Sequence, residues 1–337
     1  MALNLASPGI VVREVDLTIG RVDATSGSIG ALVAPFTKGP VEDAQLIESE
    51  EDLLQTFGQP YSIDNHYEYW MVASSFLAYG GVLQVIRADD FNTQTGVGLK
   101  NAFVGTASSI RIKSDTHYNQ LGYDDNTITG VTVASKTPGT YANGIRVAII
   151  DSKADQVLTV SGISTVGLGI TQSAAGRIVA GAAGTSVLDG YIKGIVTEVG
   201  TGTISVKTLA HVSTAGTVTN VNYQNGGVYN FATGNISATP AGSNVGGTPQ
   251  SVTAAVDWFE QQNIVLTQTD TNGNPLKLEW DALADRPSTS TYAAARGGRF
   301  DELHVVVIDD KGTITGNAGT ILEKHLNLSK AKDAEYS

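Results

Sequence analysis

The side chains that most often perform chemistry are few in this chain and lie far apart in its sequence. No two of the five histidines have the spacing at which a helix presents two metal ligands. The chain has no Walker A phosphate loop, no G-x-S-x-G nucleophile elbow and no zinc-protease helix. We therefore predict no catalytic residue, no cofactor, no metal, and a protein that is not an enzyme. The histidines are His66, His117, His211, His304 and His325.

Acidic doublets are the other candidate ligands, because paired carboxylates can bind a hard cation. They occur at Asp89-Asp90, Asp124-Asp125 and Asp309-Asp310. Carboxylates in such short polar segments more often serve as solvated turn residues. We predict that role for all three doublets.

A basic segment near the carboxyl end is a candidate contact surface. Its two glycines would let another backbone approach closely. The alternative is an ordinary basic loop whose arginines, Arg286 included, pair with the nearby Asp285 and Asp301. The predicted interface loop consists of Arg296, Gly297, Gly298 and Arg299.

The composition indicates a β-rich globular protein. The 337 residues are 41% hydrophobic and include 38 glycines, enough for a sizeable core with many turns. A net charge of −12 should repel phosphate backbones and anionic membranes, so we predict no direct nucleic-acid binding. The longest apolar runs are far shorter than a spanning helix, which predicts no membrane insertion. Without cysteine there are no disulfides.

Residues 23–95 have the pattern of an α/β unit. Buried strands are predicted at Ile29–Ala34 and Val82–Arg87, at either end of two helices. The first helix begins at Ser49, carries acidic residues in its first turn and ends at Gly58. The second runs from about His66 to Tyr79 and presents a stripe of mostly small residues for packing on a sheet. The stripe contains Trp70, Ala73, Ser74, Leu77 and Ala78.

The remaining segments predict inserted β modules and a return to the α/β unit. Residues 156–250 contain only five charged side chains and read as a β-rich module, with a disordered linker as the alternative. Residues 96–136 carry further strands, including Ile110–Ile112, and 137–155 lead into an apolar strand. After 251 we predict a helix over Val252–Gln262 and then three strands, the last with a helix as its alternative. These strands are Ile264–Leu266, Leu303–Ile308 and Ile321–Leu328.

The amino-terminal residues 1–22 read as an extended arm. Pro8 and Gly9 exclude a helix, and the following residues alternate in a pattern that suits an edge strand awaiting a partner. An ordinary first strand of the domain is the alternative. The predicted arm residues are Ser7, Pro8, Gly9, Ile10, Val11, Val12, Arg13, Glu14, Val15 and Leu17.

The predicted fold class is α+β or α/β and multidomain. Its parts are the arm at 1–22, an α/β domain, and β-rich inserted modules at 96–136 and 156–250. The α/β domain combines 23–95 with 251–337 and includes the strand at 137–155.

Several segments, in this order, resemble the contractile tail sheath proteins of T-even-type myophages. They are Ser7–Glu14, Lys38–Pro40, Phe57–Gly58, Phe76–Gly81, Pro138–Val147, Trp280–Leu283, Ala293–Gly298, His304–Val307 and Ser329–Ala331. The resemblance covers somewhat over half of the chain and corresponds to the amino-terminal portion of the family. It implies that the family's carboxy-terminal core domain would follow Ser337, and that the outer domains are α/β sandwiches.

The resemblance also implies a function. Sheath subunits stack as hexameric rings around a tube, exchange arms by adding strands to neighbouring sheets, and contract to drive the tube through an envelope. The implied partners are copies of the chain, the tail tube protein, and the baseplate and tail terminator proteins. The implied location is the virion tail, assembled in the host cytoplasm. The alternatives are a sheath of a bacterial contractile injection system and a tail-associated glycan-cleaving enzyme.

Overall fold

A computed structural model describes residues 29–60, 67–89, 98–121, 129–179, 186–239 and 249–331. They divide into two compact units, with the boundary between Asn143 and Gly144. Strands predominate over helices, so the β-rich, multi-unit character is confirmed. The α/β sandwich arrangement and the predicted domain limits remain predictions.

The first unit begins with a strand, a short strand and two helices. In chain order its described elements are β1 (Ile29–Ala34), β2 (Gln45–Ile47), α1 (Glu50–Phe57), α2 (Tyr67–Ala78), β3 (Val82–Arg87), β4 (Phe103–Gly105), α3 (Asp115–Gln120) and β5 (Val131–Ala134). A 3-10 turn over Thr140–Gly144 leads out of this unit.

The caps of α1 confirm its predicted limits. The Ser49 hydroxyl accepts from the Asp52 backbone N–H at 3.1 Å, which satisfies an otherwise unpaired donor of the first turn. Gly58 follows the helix at φ 76°, and its N–H donates to the Leu54 carbonyl at 2.9 Å. The Trp70 indole N–H of α2 donates to the Gly58 carbonyl at 3.1 Å, so the end of α1 is tied to the next helix.

The sheet of the first unit has the order β1-β3-β2, with β1 parallel to β3 and β2 antiparallel. The helices α1 and α2 pack on one face of it and form a core with Ala34, Ile47 and Val85. The predicted stripe on α2 is buried except for Ala78, which is exposed. His66 lies outside the described residues.

Arg87, at the end of β3, organises the loop after β1. It is 2% exposed, and its guanidinium donates to the carbonyls of Phe36 at 2.7 Å, Thr37 at 2.9 Å and Gly39 at 2.8 Å. Burial lowers the pKa of Arg87 to about 10. Since these carbonyls belong to no strand, the buried cation supplies the donors that they need.

The second unit is nearly all strand. Its described elements are β6 (Ile145–Asp151), β7 (Gln156–Thr159), β8 (Gly169–Ser173), β9 (Ile178–Val179), β10 (Ser186–Val187), β11 (Tyr191–Val199), β12 (Thr203–Val212), β13 (Val218–Asn220), β14 (Gly234–Thr239), β15 (Pro249–Val252), β16 (Ala254–Asp257), β17 (Asn263–Thr269), β18 (Pro275–Glu279), α4 (Thr291–Ala295), β19 (Glu302–Asp309) and β20 (Thr320–Ser329).

An eight-stranded sheet accounts for most of the charge-poor stretch. Its order is β15-β14-β8-β11-β12-β7-β16, and β13 pairs with β12. Aliphatic side chains such as Ile170, Ile192 and Ile204 alternate inward and form its core with Phe231. The described parts of this stretch are therefore mostly strands, and its role as an inserted module remains a prediction.

A second, three-stranded sheet has the order β20-β19-β6, and the hairpin β17-β18 packs with it. The strand predictions at 264–266, 303–308 and 321–328 are confirmed. Trp258, Trp280 and Val306 belong to the core shared by the hairpin and this sheet.

Two predictions of local structure are wrong. Val252–Gln262 is not a helix, because β15 and β16 pair with β14 and β7, and only Phe259–Gln261 forms a 3-10 turn. Ile110–Ile112 is not a strand. Instead the Asn101 backbone N–H donates to the Ile110 carbonyl, and the Ile112 N–H donates to the Asn101 side chain at 2.6 Å.

Candidate functional site

The structure describes the predicted interface loop but not the predicted arm. The arm residues Ser7 to Leu17 lie outside the described residues, so their role remains a prediction. The loop follows α4, and Arg296, Gly297 and Gly298 are exposed.

Local contacts explain why this segment has its residue types. The Arg296 guanidinium lies 3.6 Å from the centroid of the Tyr292 ring, and its Nη1 donates to the Tyr292 carbonyl at 3.4 Å. Gly297 has φ 72°, and the Gly298 N–H donates to the Ala293 carbonyl at 2.8 Å. Gly297 therefore ends α4 in the left-handed conformation that favours glycine. The interface role of the exposed loop remains a prediction.

The side chain of Arg299 forms its hydrogen bonds within the second unit. Its Nη1 donates to the Leu209 carbonyl at 2.7 Å, and its Nη2 donates to the Val221 carbonyl and to Asn222 Oδ1 at 2.9 Å. Burial lowers the pKa of Arg299. This arginine ties the loop after α4 to β12 and to the residues that follow β13.

A buried lysine lies behind the loop. Lys207 on β12 is only 7% exposed, and its Nζ lies 3.9 Å from the centroid of the Phe300 ring. Burial lowers the pKa of Lys207 to about 8. Burial also raises the pKa of Asp155 nearby, although the Thr208 N–H donates to its Oδ2 at 2.7 Å. The sequence signal was the presence of a charged residue inside a strand of the charge-poor module.

Phe300 is held in an uncommon conformation beneath this amine. Its φ is 59°, a region that large side chains rarely adopt. The Ser152 hydroxyl donates to its carbonyl at 2.7 Å, and its own N–H donates to Thr289 Oγ1 at 2.9 Å. The loop geometry is thus imposed by surrounding contacts.

Arg286 also binds within its own unit. It forms an ion pair with Asp257 and donates to the carbonyls of Ala154 at 3.4 Å and Asp155 at 3.3 Å. Its guanidinium carbon lies 4.4 Å from the centroid of the Tyr223 ring. The alternative pairing with Asp285 and Asp301 is not observed in the described contacts of this residue.

His304 and Asp301 have structural partners. His304 is 1% exposed; its Nε2 donates to the Asp285 carbonyl at 2.7 Å, and its Nδ1 accepts from the Asn327 N–H at 3.0 Å. Both ring nitrogens are therefore occupied. Asp301 accepts from the Ser290 hydroxyl at 2.7 Å and from the Ser329 hydroxyl.

The doublet Asp309-Asp310 is buried rather than solvated, which corrects the turn prediction. Asp309 accepts from the backbone N–H groups of Thr313, Ile314 and Thr315 at 2.7–2.9 Å. Burial alone would raise its pKa, but these hydrogen bonds outweigh burial and lower it. Asp310 pairs with Arg146 at 2.8 Å, and its pKa is lowered in the same way by hydrogen bonds from Thr267 and Arg146.

In the described residues, the other two acidic doublets form no second cluster of carboxylates. Asp90 and Asp124-Asp125 lie outside the described residues, and Asp89 forms an ion pair with Arg111. Across the described ranges, no group of three His, Asp or Glu side chains could hold a metal ion. None of the helices described is long and apolar enough to span a bilayer.

A cleft of about 590 Å³ in the second unit contains two carboxylates. Both are paired with lysines: Asp151 with Lys330 at 3.4 Å and Glu198 with Lys153 at 3.0 Å. Its lining also includes Trp258 and Trp280, which are 6% and 4% exposed and belong to the core.

In the contacts described above, the buried charged side chains of this β-rich protein bind its backbone or form ion pairs with each other. Contacts of this kind are typical of a structural protein. The similarity of the chain to known proteins agrees with that class. The tail sheath protein of Enterobacteria phage T4 is 37% identical over 91 residues, which are 27% of this chain and 13% of that protein. The tail sheath protein of Vibrio phage KVP40 is 36% identical over 101 residues, 30% of this chain and 15% of that protein. No protein-family profile matches the chain.

These relatives confirm the resemblance to T-even-type tail sheath proteins over about 30% of the chain. The matched segment spans much less than two thirds of either relative's length.

Proposed function

We propose that this chain is a structural subunit of a contractile phage tail sheath. It would polymerise as stacked rings around the tail tube and contract to drive the tube through the host envelope. The observation that carries the proposal is the 37% identity to a phage tail sheath protein over 91 residues. Because both relatives come from phages, a phage tail is favoured over a bacterial injection system.

The proposed assembly step is strand addition by the amino-terminal arm. An arm that adds its backbone to the sheet of a neighbouring copy gains hydrogen bonds of about 0.5–1.5 kcal/mol each. A single arm therefore binds modestly, and repetition around a ring makes the total large. The net charge of −12 would keep free subunits apart until such specific contacts form.

The proposed partners follow from that role. They are other copies of the chain, the tail tube protein, and the baseplate and tail terminator proteins, in a virion tail assembled in the host cytoplasm. Contraction requires interfaces with two stable arrangements. The work is mechanical, and the proposal includes no catalysed reaction.

Negative-stain electron microscopy of the purified full-length protein tests the proposal. We expect helical polymers or rings. Deleting residues 1–20 should abolish them while circular dichroism and the thermal midpoint show that the two units remain folded. Ser7→Ala is the matched control, because it leaves the apolar alternation of the arm intact. Normal polymers from the deletion variant would refute the role of the arm.

Monomers alone would refute the sheath proposal itself. Cleavage of a polysaccharide by those monomers would favour the glycan-cleaving alternative.

A further inference from the structure

Three Asn-Gly pairs occur in the chain, at Asn143-Gly144, Asn225-Gly226 and Asn272-Gly273. Asparagine is a chemically labile side chain, and it is most labile before glycine, because no Cβ shields the glycine nitrogen. That nitrogen can attack the carbonyl carbon of the asparagine side chain and expel ammonia. The dipeptide is the same at all three places, so the surrounding structure decides which pair reacts.

The pair Asn143-Gly144 is held in a packed turn. It ends the 3-10 turn Thr140–Gly144 and leads directly into β6. Gly144 is buried, and a Cβ added to it would lie 2.4 Å from Thr313 Oγ1. Its carbonyl accepts from the Lys311 N–H at 3.2 Å. Ring closure requires the glycine nitrogen to rotate toward the asparagine side chain, and close packing opposes that movement.

The pair Asn272-Gly273 is exposed, but hydrogen bonds hold its turn between β17 and β18. The Gly273 N–H donates to the Asp270 carbonyl at 3.1 Å, so the attacking nitrogen is already engaged. The Asp270 carboxylate accepts from the N–H groups of Asn272 and Asn274, both at 2.8 Å. Attack requires the Gly273 nitrogen to lose its proton, and a carboxylate in the same turn disfavours the negative charge that results.

The pair Asn225-Gly226 is exposed and has an open glycine. It lies at the centre of a turn that the Gly227 N–H closes by donating to the Gln224 carbonyl at 2.8 Å. Gly226 has φ 68°, and beyond its chain neighbours no atom lies within 4 Å of the position that a Cβ would take. Among the described residues, no acceptor for the Gly226 N–H is seen. Neither packing nor a hydrogen bond therefore restrains this nitrogen.

The side chain of Asn225 is restrained only at its surface. Its Nδ2 donates to Glu260 Oε1 at 3.1 Å, which links the turn to the 3-10 turn Phe259–Gln261. Asn225 and Glu260 are both exposed, so water competes for this hydrogen bond. The contact involves the nitrogen that would leave, and it does not cover the carbonyl carbon that is attacked.

We propose that Asn225 is the principal site of spontaneous deamidation in the folded protein. The Gly226 nitrogen forms a bond to Asn225 Cγ, and the bond from Cγ to Nδ2 breaks. Ammonia leaves with the proton that the glycine nitrogen gives up. Water then opens the cyclic succinimide at either carbonyl and produces aspartate or isoaspartate. The reaction consumes only water, and the inference does not depend on the proposed self-assembly.

The product changes the charge and the backbone of an anchored segment. A carboxylate at position 225 would face Glu260 without the donor that now joins them, so repulsion between like charges replaces a hydrogen bond. Isoaspartate also inserts a methylene into the main chain of the turn. On either side the segment is fixed, since Arg299 donates to Asn222 Oδ1 and Arg177 to the Val228 carbonyl, both at 2.9 Å. We expect the altered turn to lose its contact with Glu260 while its flanks stay in place.

Peptide mapping by mass spectrometry, during storage of the purified full-length protein at mildly alkaline pH, tests the proposal. Labelling by an isoaspartate methyltransferase identifies the isoaspartate product at each pair. We expect Asn272 to react about 2- to 12-fold more slowly than Asn225, the factor that one hydrogen bond of ordinary strength gives. Asn143 should also react more slowly than Asn225. In urea the three pairs should react at similar rates, because the turns are lost.

Asn225→Gln is the matched control, because glutamine keeps the amide but has to close a larger ring that forms more slowly. It should remove the fastest deamidation and leave the rate at Asn272 unchanged. If Asn272 reacts as fast as Asn225 in the folded protein, the hydrogen bond of the Gly273 N–H does not decide the rate, and the proposal is wrong. Protection of Asn225 in the folded protein, with reaction in urea, would overturn it as well, because the turn would then be held closed.

Discussion

Replacing Lys207 by methionine should stabilise the second unit. Methionine keeps the unbranched apolar stem that lies against the Phe300 ring and removes the charge that burial disfavours. This result would be unusual, because most core substitutions destabilise a protein.

The magnitude follows from the pKa shift. The pKa of Lys207 is lowered from 10.5 to about 8, and 2.5 units correspond to about 3 kcal/mol of disfavoured charge. The cation–π contact offsets about 1–2 kcal/mol of that penalty. At pH 7 the free energy of unfolding should therefore rise by about 1–2 kcal/mol in the variant.

The pH dependence has a definite sign. Because the pKa is lower in the folded state, the unfolded state binds more protons between pH 8 and 10.5, and wild-type stability rises there with pH. Below pH 8 the penalty is fully present. By about pH 9.5 roughly 2 of the 3 kcal/mol should be recovered, so the advantage of the variant should shrink.

Urea unfolding followed by tryptophan fluorescence at pH 7 and 9.5 measures this difference, since Trp258 and Trp280 are buried in the same unit. Lys277→Met, at an exposed strand position, is the matched control and should show a difference from wild type that does not change with pH. A Lys207→Met protein less stable than wild type at pH 7, or an advantage unchanged at pH 9.5, would refute the reasoning.

Three further substitutions test local devices of the fold by thermal or urea unfolding. Asp309→Ala should lower the free energy of unfolding by about 3–5 kcal/mol, because three backbone N–H donors lose their acceptor. Asp281→Ala, at an exposed position, should lower it little. Since the pKa of Asp309 is lowered in the folded state, the stabilisation by its carboxylate is present above its unfolded pKa and is lost as pH falls. The difference in free energy of unfolding between wild type and Asp309→Ala should therefore become smaller in acid. Gly297→Ala should cost about 1 kcal/mol at φ 72°, and Gly297→Asn less; equal stability of the three proteins would contradict the left-handed cap. Ser49→Ala should cost about 1 kcal/mol through loss of the α1 cap, and an unchanged midpoint would show that water replaces the hydroxyl.

The sequence predicted those helices and strands whose caps or apolar patterns lie within a few consecutive residues. The helix α1 is an example, because Ser49 and Gly58 satisfy its ends whatever surrounds it. The strands β19 and β20 are also local, since their apolar content suits a sheet in any context.

The two local predictions were wrong where the conformation of a segment depends on a partner that is distant in sequence. Val252, Val256 and Phe259 have helical spacing, yet strand pairing on both sides of this segment satisfies more backbone groups than one isolated helix would. At Ile110–Ile112 the alternation was right and both isoleucines are buried, but the side chain of Asn101 takes the place of a neighbouring strand.

By itself, the sequence determined the β-rich character of the chain, the positions of α1 and α2, and its likeness to tail sheath proteins. These properties depend on composition, caps and residue order, which are local or additive. Only the tertiary structure decided that Lys207 is buried against Phe300 and that Asp309 accepts hydrogen bonds from a loop rather than meeting solvent. Those outcomes depend on which distant segments meet, because burial and hydrogen bonding are set by neighbours in space rather than in sequence.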